Sequence, residues 1–431
     1  PITALLLVQY LEHRGIQRRT YADDVKISAR IQDLNDEFAG WFHPIKERLF
    51  ETETAQKVIR NIENETNVLL LGAAGSGKSG CVGVLQKHLE GNHIPYLAIK
   101  LDKHPPVRSI DQYSKDLDLP ISPVLSLESM VAKGSYGVLI LDQLDSLRWT
   151  SAHSETALPI CKKMLMQAQS ISEKKIVVVL VSRAFDFEND AELKALCSDL
   201  QEKNTKWSTI YEEPWNENTV KKLVGADIYV QLSPQTRKLL QSPNNLAIWM
   251  NLDPNLRYSA FKGSTGLIEH WLHQIRTHSS LQGISLTALD DCLKKLLRCS
   301  RQSSAVPRSI LNAEEAVIDF CLSEGLLYQN KSTVSFSHQS IADYLNVKQN
   351  LNAIYEQDIS VSATLPELDK QLPGIRIQTQ SYGFSCWMEK RTSSSQKDGN
   401  FLSLMVFGSI TSAPFGKLWD KATRRVKKYL N

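Results

Sequence analysis

A chain of 431 residues, 42% hydrophobic and 23% charged, is too long for one small core and has the composition of an ordinary globular protein. A net charge of +3 gives no support for nucleic-acid binding as a whole-molecule property. Seven scattered cysteines without a C-x-x-C pair argue against a disulfide framework or a zinc site and for a reducing, cytoplasmic setting.

No apolar run reaches the ~20 residues that cross a bilayer, so no membrane partner is expected. The apolar stretch Ile2 to Val8 is short and lacks a basic start, and reads as a buried helix rather than a signal peptide. Residues 1–60 read as helical: Ala22 to Trp41 and Ile45 to Ile62 space apolar residues three or four apart. From Asn67 short apolar strands alternate with helical stretches. Strands are expected at Val68 to Leu71, Tyr96 to Lys100, Gly137 to Leu141, Lys175 to Val181 and Ser208 to Glu212. Ile176 to Val181 is unbroken Ile, Val and Leu, the pattern of a parallel strand covered on both faces. This predicts an α/β fold, a doubly wound parallel sheet over about 45–215.

After Pro214 the strand pattern stops. Helices are expected near Asn218 to Val224, Pro234 to Leu240, Pro243 to Asn251, Gly266 to Ser279 and Leu286 to Cys299, followed by a small winged helix with a hairpin at Gly325 to Phe336. The expected domains are therefore a helical linker region (1–44), a P-loop nucleotide-binding domain (45–215), a helical domain (216–300), a winged-helix domain (301–350) and a C-terminal region of unassigned fold (351–431). The last contains a polar stretch, Ser393 to Asn400, and a basic helix, Lys417 to Lys428, read as a solvated face.

The strand ending at Leu71 runs into Gly72-Ala73-Ala74-Gly75-Ser76-Gly77-Lys78-Ser79, which matches G-x-x-x-x-G-K-[ST] at every fixed position. A polyphosphate is held by backbone N–H groups only where side chains do not crowd the loop, and Gly72, Gly75 and Gly77 supply that freedom. A helix starting at Lys78, with Gly80 in its first turn, aims its positive dipole end at the phosphates. Lys78 is expected to reach the β- and γ-phosphates of ATP, and the Ser79 hydroxyl to ligate Mg²⁺.

Two further strand ends carry candidate chemistry. Gly137 to Leu141 ends in Asp142, at the ligand side of an open α/β sheet, with Asp145 three residues on. Asp142 is expected to hold Mg²⁺ and Asp145 to orient or deprotonate the attacking water; the alternative for a lone acid after a strand is a helix cap. Lys175 to Val181 ends in Ser182 and Arg183, a candidate γ-phosphate sensor whose alternative is pairing with Asp186 or Asp190.

The order of these elements resembles the STAND class of P-loop NTPases, related to AAA+ proteins, and within it NACHT-like members such as bacterial antiviral sensors of the Avs type. Leu141-Asp142-Gln143-Leu144-Asp145 is similar to their Walker B, and the segment from Val181 to Asp190 to their sensor 1. Leu240-Gln241-Ser242-Pro243 resembles their helical-domain proline motif, which implies that Pro243 lies near the base and ribose. Ser335 to Leu345 resembles their winged-helix motif, which implies that His338 contacts the β-phosphate of ADP at rest. The resemblance implies a slow, regulatory ATPase. On activation it would change conformation or assemble with itself, in response to a protein trigger and with a fused or separate effector. Nucleic acid is not expected as a partner.

The chain departs from that pattern at Ser146, where a further acid is common, and at Ser242, where glycine is common. An AAA+ DNA-remodelling or loader ATPase is the competing expectation, since such proteins also join a P-loop core to a winged helix.

Overall fold

The computed structural model describes residues 24–356, interrupted at 43, 46–47, 149–153, 172–173, 202–205, 262, 301–305 and 312, together with Tyr10, His13 and Arg14. Five parallel strands form the first sheet: β1 (Asn67–Gly72), β2 (Tyr96–Lys100), β3 (Tyr136–Asp142), β4 (Lys175–Arg183) and β5 (Trp207–Glu212). Their order is β2-β3-β4-β1-β5. The chain thus reverses direction once, after β2, and β4 is inserted between the strand that feeds the P-loop and the strand that ends in Asp142. Every residue from Ile176 to Ser182 is buried, as its unbroken apolar run requires when helices cover both faces.

Helices fill those faces. Lys78–Gly91 and Glu53–Glu63 pack over one side through Val58, Ile62, Val82 and Leu85, and Pro123–Met130 and Ser154–Ser170 over the other through Leu127, Cys161 and Met164. Each large apolar side chain fully buried in this way contributes about 1.5–3 kcal/mol.

The helix Val25–Gly40, within the stretch expected as a linker region, packs on this sheet. Its Ile27, Ile31 and Leu34, one face at helical spacing, join the core of the sheet. Asn35 on that face donates to Tyr96 O and accepts from Ala98 N, both at 2.9 Å, and so satisfies the open side of edge strand β2. The continuous helix expected over 45–62 begins only at Glu53. Thr52 has extended backbone angles and its hydroxyl accepts from Ala55 N, a cap that sets the start there.

Beyond β5 the chain is helical. The expected segments appear as Glu217–Val224, Pro234–Leu239, Pro243–Met250, Ser264–Leu281 and Leu286–Ser300, with an additional short helix Ala226–Gln231. A three-stranded antiparallel sheet follows, β6 (Val306–Pro307), β7 (Leu327–Asn330) and β8 (Thr333–Phe336), in the order β6-β8-β7, with helices Glu315–Ser323 and Gln339–Glu356 against it. This is the expected winged helix. It shares one continuous core with the preceding helices, in which Trp249, Trp271 and Leu296 meet Phe320, Val334 and Ile341. The final helix runs past residue 350, and residues 357–431, including the basic stretch Lys417 to Lys428, lie outside the described residues.

Candidate functional site

Parallel register brings the polar ends of all five strands to one edge. Lys100 stands opposite Asp142, and Gly72 is flanked by Arg183 on one side and Glu212 on the other. The central runs of β2, β3 and β4 are apolar, so Lys100, Asp142 and Ser182 with Arg183 fall at the C-terminal edge, where an open α/β sheet binds its ligand. The P-loop, the carboxylates and the sensor segment meet there.

The loop has the backbone that phosphate binding needs. Gly75 has φ +72° and Gly77, which caps the helix Lys78–Gly91, has φ +113°, both in the left-handed region that glycine enters without cost. Gly72 keeps strand geometry, so its expected freedom is not used; a side chain there would run into Ser76 Oγ and Glu212. Ala73, Ala74 and Gly75 are exposed, whereas Ser76 is buried. Ser79 and Gly80 lie half-buried in the first turn of the helix.

Lys78 Nζ donates to Gly72 O at 2.9 Å and to Ala73 O at 2.8 Å, which keeps the ammonium at the mouth of the loop. Burial lowers its pKa to about 8, against the attraction of Asp145, Asp142 and Glu212 and with repulsion from Arg183. An anionic ligand would offset that penalty.

Asp142 is 3% exposed; its Oδ1 accepts from Gln143 N at 2.8 Å, and its Oδ2 lies 3.9 Å from Lys100 Nζ without a hydrogen bond. Burial raises its pKa, partly opposed by Lys100. Asp145 is 1% exposed, and its Oδ1 accepts from Arg183 N at 3.0 Å and, at 3.4 Å, from Ser182 Oγ. Arg183 Nε lies 3.4 Å from Asp145 Oδ2. Arg183 is therefore paired with Asp145, an acid other than the Asp186 and Asp190 that the sequence offers as its neighbours.

Asp186 is buried with neither carboxylate oxygen hydrogen-bonded, and burial together with the charge of Asp145 pushes its pKa to about 7. Buried oxygens without a hydrogen bond on Ser76, Asp142 and Glu212 lie around a partly buried lysine, which together suit a hard cation and the polyphosphate it would accompany. ATP with Mg²⁺ fits these residues.

Sequence reasoning missed two groups at this edge. Lys100 and Glu212 end β2 and β5 as Asp142 ends β3, and the same strand-end rule finds them once the strands are known to be neighbours. Glu212 is buried; its Cβ would sit 3.1 Å from a side chain at Gly72, and its Oε1 3.5 Å from one at Gly77. Burial raises its pKa to about 7, opposed by a hydrogen bond from Thr54 and by Lys78.

The helical region closes over the loop. The Pro243 ring would meet a Cβ on Gly77 at 3.2 Å, and Trp215 Nε1 lies 3.8 Å from the same point, with Phe50 edge-on to the Trp215 ring at 5.5 Å. Ser242, the residue that stands where the resembling proteins often have glycine, donates through its hydroxyl to Gly75 O at 3.2 Å. Asn244 N donates to the same carbonyl at 3.3 Å, and Asn244 Nδ2 donates to Ser340 Oγ at 2.9 Å on the winged helix. His338 is half-buried two residues before Ser340, and its carbonyl accepts from Ile341 N in the first turn of that helix.

The histidines 270, 273 and 278 share a helix but form no metal site: among the described residues no group of His, Cys, Asp and Glu is arranged to hold one. His278 instead bridges Glu324 and Asp253. No helix among the described residues is long and apolar enough to cross a membrane.

No protein-family model matches this sequence, and no curated protein matches it. Among solved structures, the ORC2 protein of Aeropyrum pernix in ADPNP–ADP complexes is similar at 11% identity, covering 72% of this chain and 95% of that one with a TM-score of 0.39. The Walker-type ATPase of Pyrococcus abyssi is similar at 14% identity, covering 69% and 95% with a TM-score of 0.32. AMPPCP-bound DnaA from Aquifex aeolicus is similar at 13% identity, covering 85% and 96% with a TM-score of 0.31. Likeness at this level transfers neither activity nor residue roles. The chain's own sheet and loop give it a P-loop NTPase fold, a parallel α/β core followed by a helical region and a winged helix.

Proposed function

We propose that this chain binds and hydrolyses ATP and uses the nucleotide to control how its helical and winged-helix parts sit on the P-loop. The observation that carries this reading is the convergence of Lys78, Asp142, Asp145 and Arg183 at one sheet edge, each buried or half-buried: the cations Lys78 and Arg183 suit the phosphates, and the carboxylates Asp142 and Asp145 suit a metal ion and a water. The loop N–H groups and Lys78 hold the phosphates. Ser79 and Asp142 are the residues that would hold Mg²⁺, which when bound neutralises charge on the phosphates. Asp145 orients the attacking water, and Arg183, gripped by Asp145, is positioned to respond to the γ-phosphate. Pro243 and Trp215 flank the nucleoside, and His338 contacts the diphosphate end when the winged helix is closed.

Within this reading the chain acts as a slow, nucleotide-switched signalling ATPase that assembles with itself on activation. None of the structural neighbours named above bears a name from antiviral defence, and that expectation has no support from them. The second reading, a DNA-remodelling or loader ATPase, is favoured by the winged helix, and the named neighbours ORC2 and DnaA go with it better than with signalling. The charge of the module speaks the other way: residues 306–344 hold Arg308 and Lys331 against Glu314, Glu315, Asp319, Glu324 and Asp343.

ATP binding and single-turnover hydrolysis by the wild type and by Lys78→Ala test the site. Loss of binding in the variant supports the assignment, and wild-type-like binding removes it. Stimulation of hydrolysis by duplex DNA would decide for the loader, and a nucleotide-dependent change in mass without DNA for the switch.

A further inference from the structure

We infer that Asn244 is a positioning residue that ties the geometry of the P-loop to the docking of the winged helix, so that nucleotide binding and winged-helix docking support each other. The inference rests on the nucleotide-binding reading above and adds the path by which the site would be regulated.

The argument starts from one peptide plane. A trans peptide is rigid and planar, so its C=O and the following N–H point in opposite directions. The carbonyl of Gly75 is held on the outer side of the loop by two donors, Ser242 Oγ at 3.2 Å and Asn244 N at 3.3 Å. The N–H of Ser76, on the other end of the same plane, is thereby aimed inward. It now donates to Ala73 O at 3.3 Å, near the limit of a useful hydrogen bond. A phosphate oxygen is a charged and better acceptor for that N–H.

Contact supports the same coupling. A Cβ on Gly75 would lie only 2.7 Å from Asn244 Cβ, so the left-handed turn at Gly75 is fitted against that side chain. The Asn244 side chain then reaches the winged helix, donating from Nδ2 to Ser340 Oγ at 2.9 Å. One residue thus fixes the loop through its backbone and the helix Gln339–Glu356 through its amide, joining segments that are distant in the chain. A loop held in its binding shape has less conformational freedom to lose when a ligand arrives. By linkage, a ligand that holds the loop must stabilise the docked winged helix to the same extent.

The test uses the full chain and N-methylanthraniloyl-ADP as probe. Ser340→Ala removes the accepting hydroxyl without touching the loop, Asn244→Ala removes the amide, and Asn244→Leu keeps the size without a hydrogen-bonding group. Each is expected to speed release of the probe about 3- to 10-fold, with the Asn244→Ala/Ser340→Ala double variant no faster than Asn244→Ala alone. Hydrogen exchange supplies a readout that a merely structural role would not move. ADP should slow exchange in 339–350 of the wild type, and that effect should vanish in Ser340→Ala. Wild-type release rates and ADP-dependent protection in all variants would overturn the inference while leaving nucleotide binding intact. Failure of the wild type to bind the probe would instead remove the nucleotide reading, and this inference with it.

Discussion

The backbone N–H of Arg183 donates to Asp145 Oδ1 at 3.0 Å while its Nε lies 3.4 Å from Asp145 Oδ2, so the end of β4 holds the Asp145 carboxylate from two sides. A carboxylate that is 1% exposed and a guanidinium beside it neutralise each other at the sheet edge. Two groups expected to work on different parts of the substrate are therefore a single unit.

Their effects on hydrolysis should then fail to add. Arg183→Ala leaves the backbone hydrogen bond to Asp145 but deletes the guanidinium, and is expected to slow single-turnover hydrolysis about 100-fold with ATP affinity changed by less than about threefold. Asp145→Asn should slow it at least as much. The double variant should be no slower than the worse single variant; a product of the two losses would mean that the residues act independently.

Nucleotide binding should take up protons near pH 8. Lys78 titrates at about 8 because burial penalises its charge, so roughly half of it is neutral there in the free protein. A polyphosphate beside it favours the charged form, and would also raise Glu212, which titrates at about 7. Calorimetry of ADP binding in buffers of different ionisation enthalpy should show uptake of about 0.3–0.5 proton at pH 8. Proton release, or none exchanged, would contradict the placement of Lys78.

Asp186 should make the fold less stable as pH rises through neutrality. Its pKa is raised from 3.8 to about 7, so between those values the folded chain binds more protons than the unfolded one. Its contribution is present in full below about pH 4 and is lost as pH climbs past 7. Asp186→Asn removes this dependence and should gain stability relative to wild type across that window, by about 2 kcal/mol at pH 8. Melting curves of both proteins from pH 5 to 8 check the slope; a parallel pair of profiles would show that Asp186 does not titrate as its burial implies.

Gly75→Ala should cost more than its backbone angle alone explains. A left-handed residue with a Cβ costs about 1–2 kcal/mol wherever it occurs. Gly283 has nearly the same φ, +73° against +72°, but has open space around its Cβ direction, whereas at Gly75 the Cβ would press on Asn244 at 2.7 Å. Gly283→Ala should therefore show the backbone penalty in its melting temperature and keep nucleotide affinity. Gly75→Ala should lose affinity at least 10-fold, as equilibrium binding of labelled ADP would report.

The sequence by itself determined the strands, the loop and the residue at which each strand leaves the sheet. A parallel strand buried on both faces must be continuously apolar, so Ile176 to Val181 could be little else, and the first polar residue after such a run marks the edge. Asp142, Ser182 and Arg183 were legible for that reason, and Gly75, Gly77 and Lys78 because phosphate binding leaves few residue types free. The helix start at Glu53 was not legible, because the apolar spacing of 45–62 continues through a segment that the Thr52 hydroxyl caps. Only the tertiary structure decided which strand ends became neighbours. The order β2-β3-β4-β1-β5 sets Lys100 beside Asp142, Arg183 between Asp142 and the loop, and Glu212 under Gly77. It also decided that Asn244 touches both Gly75 and Ser340. Local periodicity records which face of an element is buried, and carries no information about which distant segment buries it.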